Sequence, residues 1–118
     1  MNVAIGIDNG VSGAIAVIVD NNIHYTPTPK FSQQNYTKKK GNISRVDFGK
    51  LYEFLQPYSL NQDQNSVMCL IERPMVNPGR FKATVSALRA LECTLNVVEL
   101  LNIPYAYIDS KEWQKRSE

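Results

Sequence analysis

Cysteine and histidine are scarce in this chain. Its 118 residues include two cysteines, Cys69 and Cys93, and one histidine, His24. Cys69 lies in the apolar run Val67–Ile71 and Cys93 in an apolar stretch of helical spacing. Both read as small buried residues, which argues against a disulfide framework and a thiolate metal centre. That usage fits a reducing cytosol. His24 stands beside Tyr25 in a strand-like stretch, with no second histidine to share a metal. Long hydrophobic runs are also missing, so no membrane span is expected. The apolar start lacks a basic leader and carries Asp8, so no signal peptide is expected either. There are no internal repeats and no low-complexity blocks.

What remains is an ordinary globular composition, 43% hydrophobic and 20% charged. The length suits one domain, residues 1–118, with a sizeable core. The net charge of +2 says less than its distribution. Between Lys30 and Lys50, six basic residues (Lys30, Lys38, Lys39, Lys40, Arg45, Lys50) face the single acid Asp47. Between Arg73 and Leu91 there are four (Arg73, Arg80, Lys82, Arg89) and no acid. Two positive stretches of this kind point to a polyanionic partner, although a lysine triplet is equally often a solvated loop.

The chain is organised around its first strand and the turn after it, Val3-Ala-Ile-Gly-Ile-Asp8-Asn-Gly-Val-Ser-Gly13, which leads into a second apolar run to Val19. The Asn9-Gly10 pair marks a hairpin, with a loop that reaches as far as Gly13. Asp20-Asn21-Asn22 is a second turn, and Ile23–Thr26 a third strand closed by Pro27 and Pro29. Residues 28–44 are polar and read as a flexible loop. Ser44-Arg-Val-Asp47 resembles a capping box ahead of an amphipathic helix over 45–56, stopped by Pro57; this gives Asp47 a structural role. Val67–Ile71 has the pattern of a buried parallel strand and ends in Glu72. The longest helix is expected from about Arg80 to Asn102. Tyr105–Ile108 is a fifth strand, and Ser110–Arg116 begins a last helix. This order predicts an α/β domain in three layers. Its mixed five-stranded sheet has strands 1–3 antiparallel and strands 4 and 5 parallel to strand 1, with helices on both faces.

Asp8 and Glu72 both end apolar strands that should run side by side, and ligand sites in open α/β sheets lie at such carboxyl ends. Two carboxylates there serve either as an acid and base of split pKa or as hard oxygen ligands for Mg²⁺. The neighbouring arginines and lysines favour a phosphate substrate, and with it a metal. Two-metal phosphodiester sites use three or four carboxylates. This chain offers two good ones and a weaker third, Asp109, which is expected to begin the last helix. In Glu72-Arg-Pro-Met-Val-Asn-Pro-Gly-Arg-Phe-Lys82, the acid precedes a rigid loop. Arg80 and Lys82 then fall at a helix start, whose free N–H groups favour phosphate. Phe81 either stacks on a base or packs into the domain, and packing is favoured.

These stretches together resemble one family. Gly6-Ile-Asp8-Asn-Gly-Val-Ser-Gly13-Ala-Ile-Ala is similar to the first motif of the RuvC-like Holliday-junction resolvases of the RNase H-like superfamily. Glu72-Arg-Pro, Pro78-Gly-Arg-Phe-Lys and Ala87-Leu-Arg resemble a phage-type version of the second. Ile108-Asp-Ser-Lys-Glu-Trp113-Gln-Lys is similar to the stretch after the family's fifth strand. The resemblance covers essentially the whole chain. It implies a homodimeric crossover junction endodeoxyribonuclease that binds two divalent ions, Mg²⁺ or Mn²⁺, and nicks four-way DNA junctions symmetrically in the cytoplasm of a bacterial or phage-infected cell. Asp8 and Glu72 map onto its first two catalytic, metal-ligating acids. The family's remaining acids lie on a C-terminal helix, and this chain stops at Glu118 before such a helix. The expectation is therefore a truncated domain that binds metal weakly and cuts poorly.

On this reading Arg73, Arg80, Lys82 and the Lys38, Lys39 and Lys40 loop contact phosphates, with Phe81 beside them. Ser12 and Gly13 let the backbone approach the site closely. No membrane partner and no nucleotide cofactor are expected. A non-cutting module that recognises branched DNA is the alternative. Half of a sugar-kinase or actin-like ATPase would share Gly-Ile-Asp-x-Gly, but needs a second domain and a second phosphate loop. Ala83, Ala87 and Ala90 form either a dimer seam or ordinary core packing.

Overall fold

The computed structural model describes residues 2–59 and 66–109. Three antiparallel strands come first: β1 (Asn2–Asp8), β2 (Ala14–Val19) and β3 (Asn22–Pro27). A separate hairpin follows, β4 (Lys30–Gln34) and β5 (Asn42–Val46), and then helix α1 (Phe48–Leu55). Strand β6 (Ser66–Glu72), helix α2 (Phe81–Leu100) and strand β7 (Tyr105–Ile108) complete the order. The main sheet runs β3-β2-β1-β6-β7, with β6 parallel to β1 and β7 parallel to β6. The expected fourth and fifth strands are thus β6 and β7. The expected start of a helix over 110–116 lies outside the described residues.

Alternation decides which side of the sheet is covered. Val3, Ile5 and Ile7 of β1, Ile15 and Val17 of β2, and Val67, Cys69 and Ile71 of β6 point the same way and are almost wholly buried. They meet Leu51 and Leu55 of α1 and Ala90, Val97 and Val98 of α2 in one core. Both described helices therefore lie on the same face. That corrects the expectation of helices on both faces: the described residues make two layers, not three. Two right-handed crossovers in the same direction, β1 to β6 and β6 to β7, put their helices on one side. On the other face Ile23, Ile18, Ala4 and Met68 share one row across four strands. Ile18 and Met68 are more than 40% exposed. Val67–Ile71 is thus buried on one face, not on both.

The helices end as their sequences direct. Asp47, not Ser44, is the N-cap of α1, and its carboxylate accepts from the Lys50 N–H. Ser44 and Arg45 belong to β5, so the expected helix over 45–56 starts three residues late. Helix α2 closes with Asn102 in the left-handed region at φ 57°. The Asn102 N–H donates to Glu99 O and the Ile103 N–H to Val98 O, a Schellman closure.

The polar tract over 28–44 is the largest departure from expectation. It is a hairpin instead of a loop, held by Arg45, which donates to Gln33 Oε1 at 2.8 Å and lies 5.6 Å above the Phe31 ring. Val46 is buried in the main core, and the Asp47 N–H donates to Pro29 O at 2.8 Å, closing the hairpin at its base. The tip is shaped as well. The Asn35 N–H donates to Gly41 O, and the Asn35 side chain accepts from the N–H and hydroxyl of Thr37. Among the described residues, no helix is long and apolar enough to cross a membrane.

Candidate active site

Parallel pairing places Ile7 beside Ile71, so the next residues, Asp8 and Glu72, stand together at the carboxyl ends of β1 and β6. They are close enough to share a proton. A hydrogen bond with Asp8 pushes the Glu72 carboxyl from 4.5 up to about 7, helped by partial burial and by the charge of Asp8. One proton held between two carboxylates marks a place where two negative charges are disfavoured unless a cation joins them.

The turn after β1 brings a third oxygen. Asn9 donates through Nδ2 to Ala87 O at 3.2 Å, which ties the turn to α2. Its Oδ1 is shielded from solvent and has no partner. Asn9 lines both the cleft of Glu72 and that of Asp8, and an amide oxygen with two carboxylates is a donor set that a hard divalent cation takes. Glycine makes the approach possible. A Cβ on Gly13 would run into the Asp8 carbonyl oxygen, and Gly13 N–H donates to Gly10 O at 3.0 Å. Gly10 itself has φ +117°.

Asp109 follows Ile108, which pairs with Glu72, so a third acid comes to the same end of the sheet. It is engaged: Arg73 Nε lies 3.1 Å from its carboxylate, both groups being solvent-exposed. Arg73 also stands 5.6 Å from the Tyr107 ring, and its N–H donates to Ile108 O. Among the described residues no group of three or more acid, histidine or cysteine side chains could hold a metal.

The basic residues divide among adjoining clefts. A cavity of about 520 Å³ holds Glu72, Arg73 and Arg80, with Asn77 and Asp109. A second, of about 320 Å³, holds Asp8, Ser12 and Gly13, and shares Asn9, Ala83 and Ala87 with the first. A third, of about 820 Å³, lies between the hairpin tip and α2. It is lined by Lys38, Lys39, Lys40, Phe81 and Lys82, and shares Val11 and Ser86 with the second. The sequence-predicted residues are thus arrayed along one groove across α2. Phe81 is 75% exposed, so it does not pack into the domain. Ala90 is core, whereas Ala83 and Ala87 border the acid pair.

Sequence reasoning misses Asn9 and Tyr36, and it finds Arg89 only as one member of a positive stretch. In sequence Asn9 marks only a turn, and its neighbour Asp8 is the signal that points to it. Tyr36 and Arg89 are far apart in sequence, and only the hairpin brings them together.

No protein-family model matches the chain, and no curated protein matches it in sequence. Among solved structures, T. thermophilus RuvC in complex with a Holliday junction substrate superposes with a TM-score of 0.58 over 94% of this chain, at 11% identity. The chain has a RuvC-like fold. It spans 66% of the length of that RuvC chain. The described residues make an α/β domain, a mixed five-stranded sheet carrying two helices.

Proposed function

We propose that this chain is a divalent-metal-dependent, structure-selective endonuclease that nicks four-way DNA junctions. The observation that carries the reading is the placement of Asp8 and Glu72 at adjacent strand ends, bordering clefts lined with cations. The similarity to a RuvC bound to a junction supports the same substrate.

Asp8 and Glu72, with Asn9 Oδ1, would hold Mg²⁺ or Mn²⁺. When bound, the ion polarises the scissile phosphate and makes water a better nucleophile at neutral pH. The chain's own residues position the strand. Arg80 stands beside Glu72, and the first N–H groups of α2 together with Lys82 receive phosphate oxygens. Ser12 and Gly13 keep the floor of the site low enough for a sugar–phosphate backbone to reach Asp8. Symmetric nicking of a four-way junction calls for two copies, so the working form is a homodimer.

A second reading, a branched-DNA binding module that does not cut, draws on one observation. The third acid, Asp109, is held by Arg73 instead of facing Glu72. One assay separates the two: junction cleavage with Mg²⁺ or Mn²⁺, the chain beside its Asp8→Asn variant. Paired symmetric nicks that disappear with Asp8→Asn establish the nuclease. Junction binding with no nicks at any metal concentration establishes the binding module.

A further inference from the structure

The cleft between the hairpin tip and α2 contains a cation that the protein leaves unmatched. Arg89 projects from α2 with Nε and one Nη shielded from solvent and without a hydrogen-bond partner. Its guanidinium lies 5.5 Å from the centroid of the Tyr36 ring, a cation–π contact that fixes its plane but neutralises nothing. Arg89 also borders the cavity that contains Asp47 and Glu92, yet it forms no ion pair with either. Among the described residues the ion pair is Arg73–Asp109. A shielded guanidinium with open donors is costly, and natural structures retain one where a ligand completes it. On the side of the hairpin tip its surroundings carry one sign. Lys38, Lys39, Lys40 and Lys82 line the same cleft, and no acidic residue does.

We infer that Arg89 is a phosphate-binding residue of a strand track: the cleft seats one backbone phosphate of a DNA strand on the Arg89 guanidinium, with the tip lysines closing over it. The planar fork of arginine suits two oxygens of one phosphate, and Tyr36 holds it in place before the strand arrives. The track adjoins the Asp8 turn through Val11 and Ser86, so a strand held here leads towards the acid pair. This inference rests on the nucleic-acid reading above and adds to it a position, a residue and a role for the hairpin.

The test is anisotropy of a fluorescein-labelled four-way DNA junction with the full chain, in EDTA so that no cutting intervenes, from about 50 to 200 mM salt. Arg89→Gln should weaken binding about tenfold. It should also flatten the dependence of log K on log salt by about 0.9, the loss of one phosphate contact. Arg89→Lys should keep the slope. Lys50→Gln removes an equal charge from α1, outside the cleft, and should change neither quantity. The melting temperature of Arg89→Gln should change little, because the charge it removes forms no ion pair and only the contact with the Tyr36 ring is lost. Wild-type affinity and slope in Arg89→Gln would overturn the assignment, as would an equal loss in Lys50→Gln or a junction that does not bind at all. Arg89-dependent binding without cleavage in Mg²⁺ would refute the nuclease and leave the track standing. Cleavage with Arg89→Gln binding as wild type would refute the track alone.

Discussion

Asp8→Asn should make the protein more stable, and only above a definite pH. Glu72 keeps its proton to about pH 7 in the folded chain against 4.5 for an ordinary glutamate, because Asp8 shares it. Between those values the folded state binds more protons than the unfolded one, so stability declines as pH rises through the window. Near pH 4 the pair contributes no penalty. Above pH 7 Glu72 loses its proton and meets the repulsion of Asp8. If the whole displacement acted on folding it would amount to about 3 kcal/mol. The pair is open to water on one side, and screening reduces this to about 1 kcal/mol. For a domain of this size that is about 4 °C in melting temperature. Thermal melts of the chain and of Asp8→Asn, in metal-free buffer at steps from pH 4 to pH 8.5, read the effect directly. The two curves should run together at the acid end and separate by a few degrees by pH 8, the variant higher. A variant that melts at or below wild type at pH 8, or by the same margin at every pH, would refute the shared proton.

Mg²⁺ at about a hundredfold excess over its dissociation constant should raise the wild-type stability by about 2.7 kcal/mol, and the Asp8→Asn chain should gain far less; equal shifts in melting temperature would exclude Asp8 as a ligand. Gly13→Ala forces a Cβ against the Asp8 carbonyl oxygen and should cost about 2 kcal/mol or more in urea unfolding, whereas a Cβ on Gly49 meets only the Asp47 carboxylate, at 3.7 Å. Asp47→Ala removes the cap of α1 and should cost about 1 kcal/mol with junction affinity unchanged. Cys69, whose thiol burial pushes up to about 12, should resist alkylation at pH 8 in the native chain and react once it is unfolded.

The main sheet and the acid pair were legible because local rules coincide there. Each strand is a short apolar run, each ends at a turn residue or an acid, and the helix between parallel strands fixes which ends align. That is enough to place Asp8 beside Glu72 without any contact in hand. The hairpin was not legible. Its strands carry few apolar residues, chiefly Phe31, Ile43 and Val46, and its stability comes from Arg45 on Phe31 and Gln33 and from the closure at Pro29. Such pairings leave no periodicity. The cap was misplaced for a related reason: Ser44 satisfies a motif, but Val46 is drawn into the core, and the strand therefore continues to Val46 before Asp47 can start the helix. Arg89 looked like one more basic residue of α2, because its isolation is set by what the fold fails to bring near it.

The hydrogen bond from Asp47 to Pro29 O has an evolutionary reading. It brings the two ends of the hairpin to one point beside the buried Val46, so the hairpin is anchored at its base, outside the five-stranded sheet. Tip residues can be lengthened, shortened or exchanged without disturbing the register that aligns Asp8 with Glu72. A lineage can then alter which nucleic-acid shapes it grips while its chemistry stays fixed, and selection on the two can proceed separately.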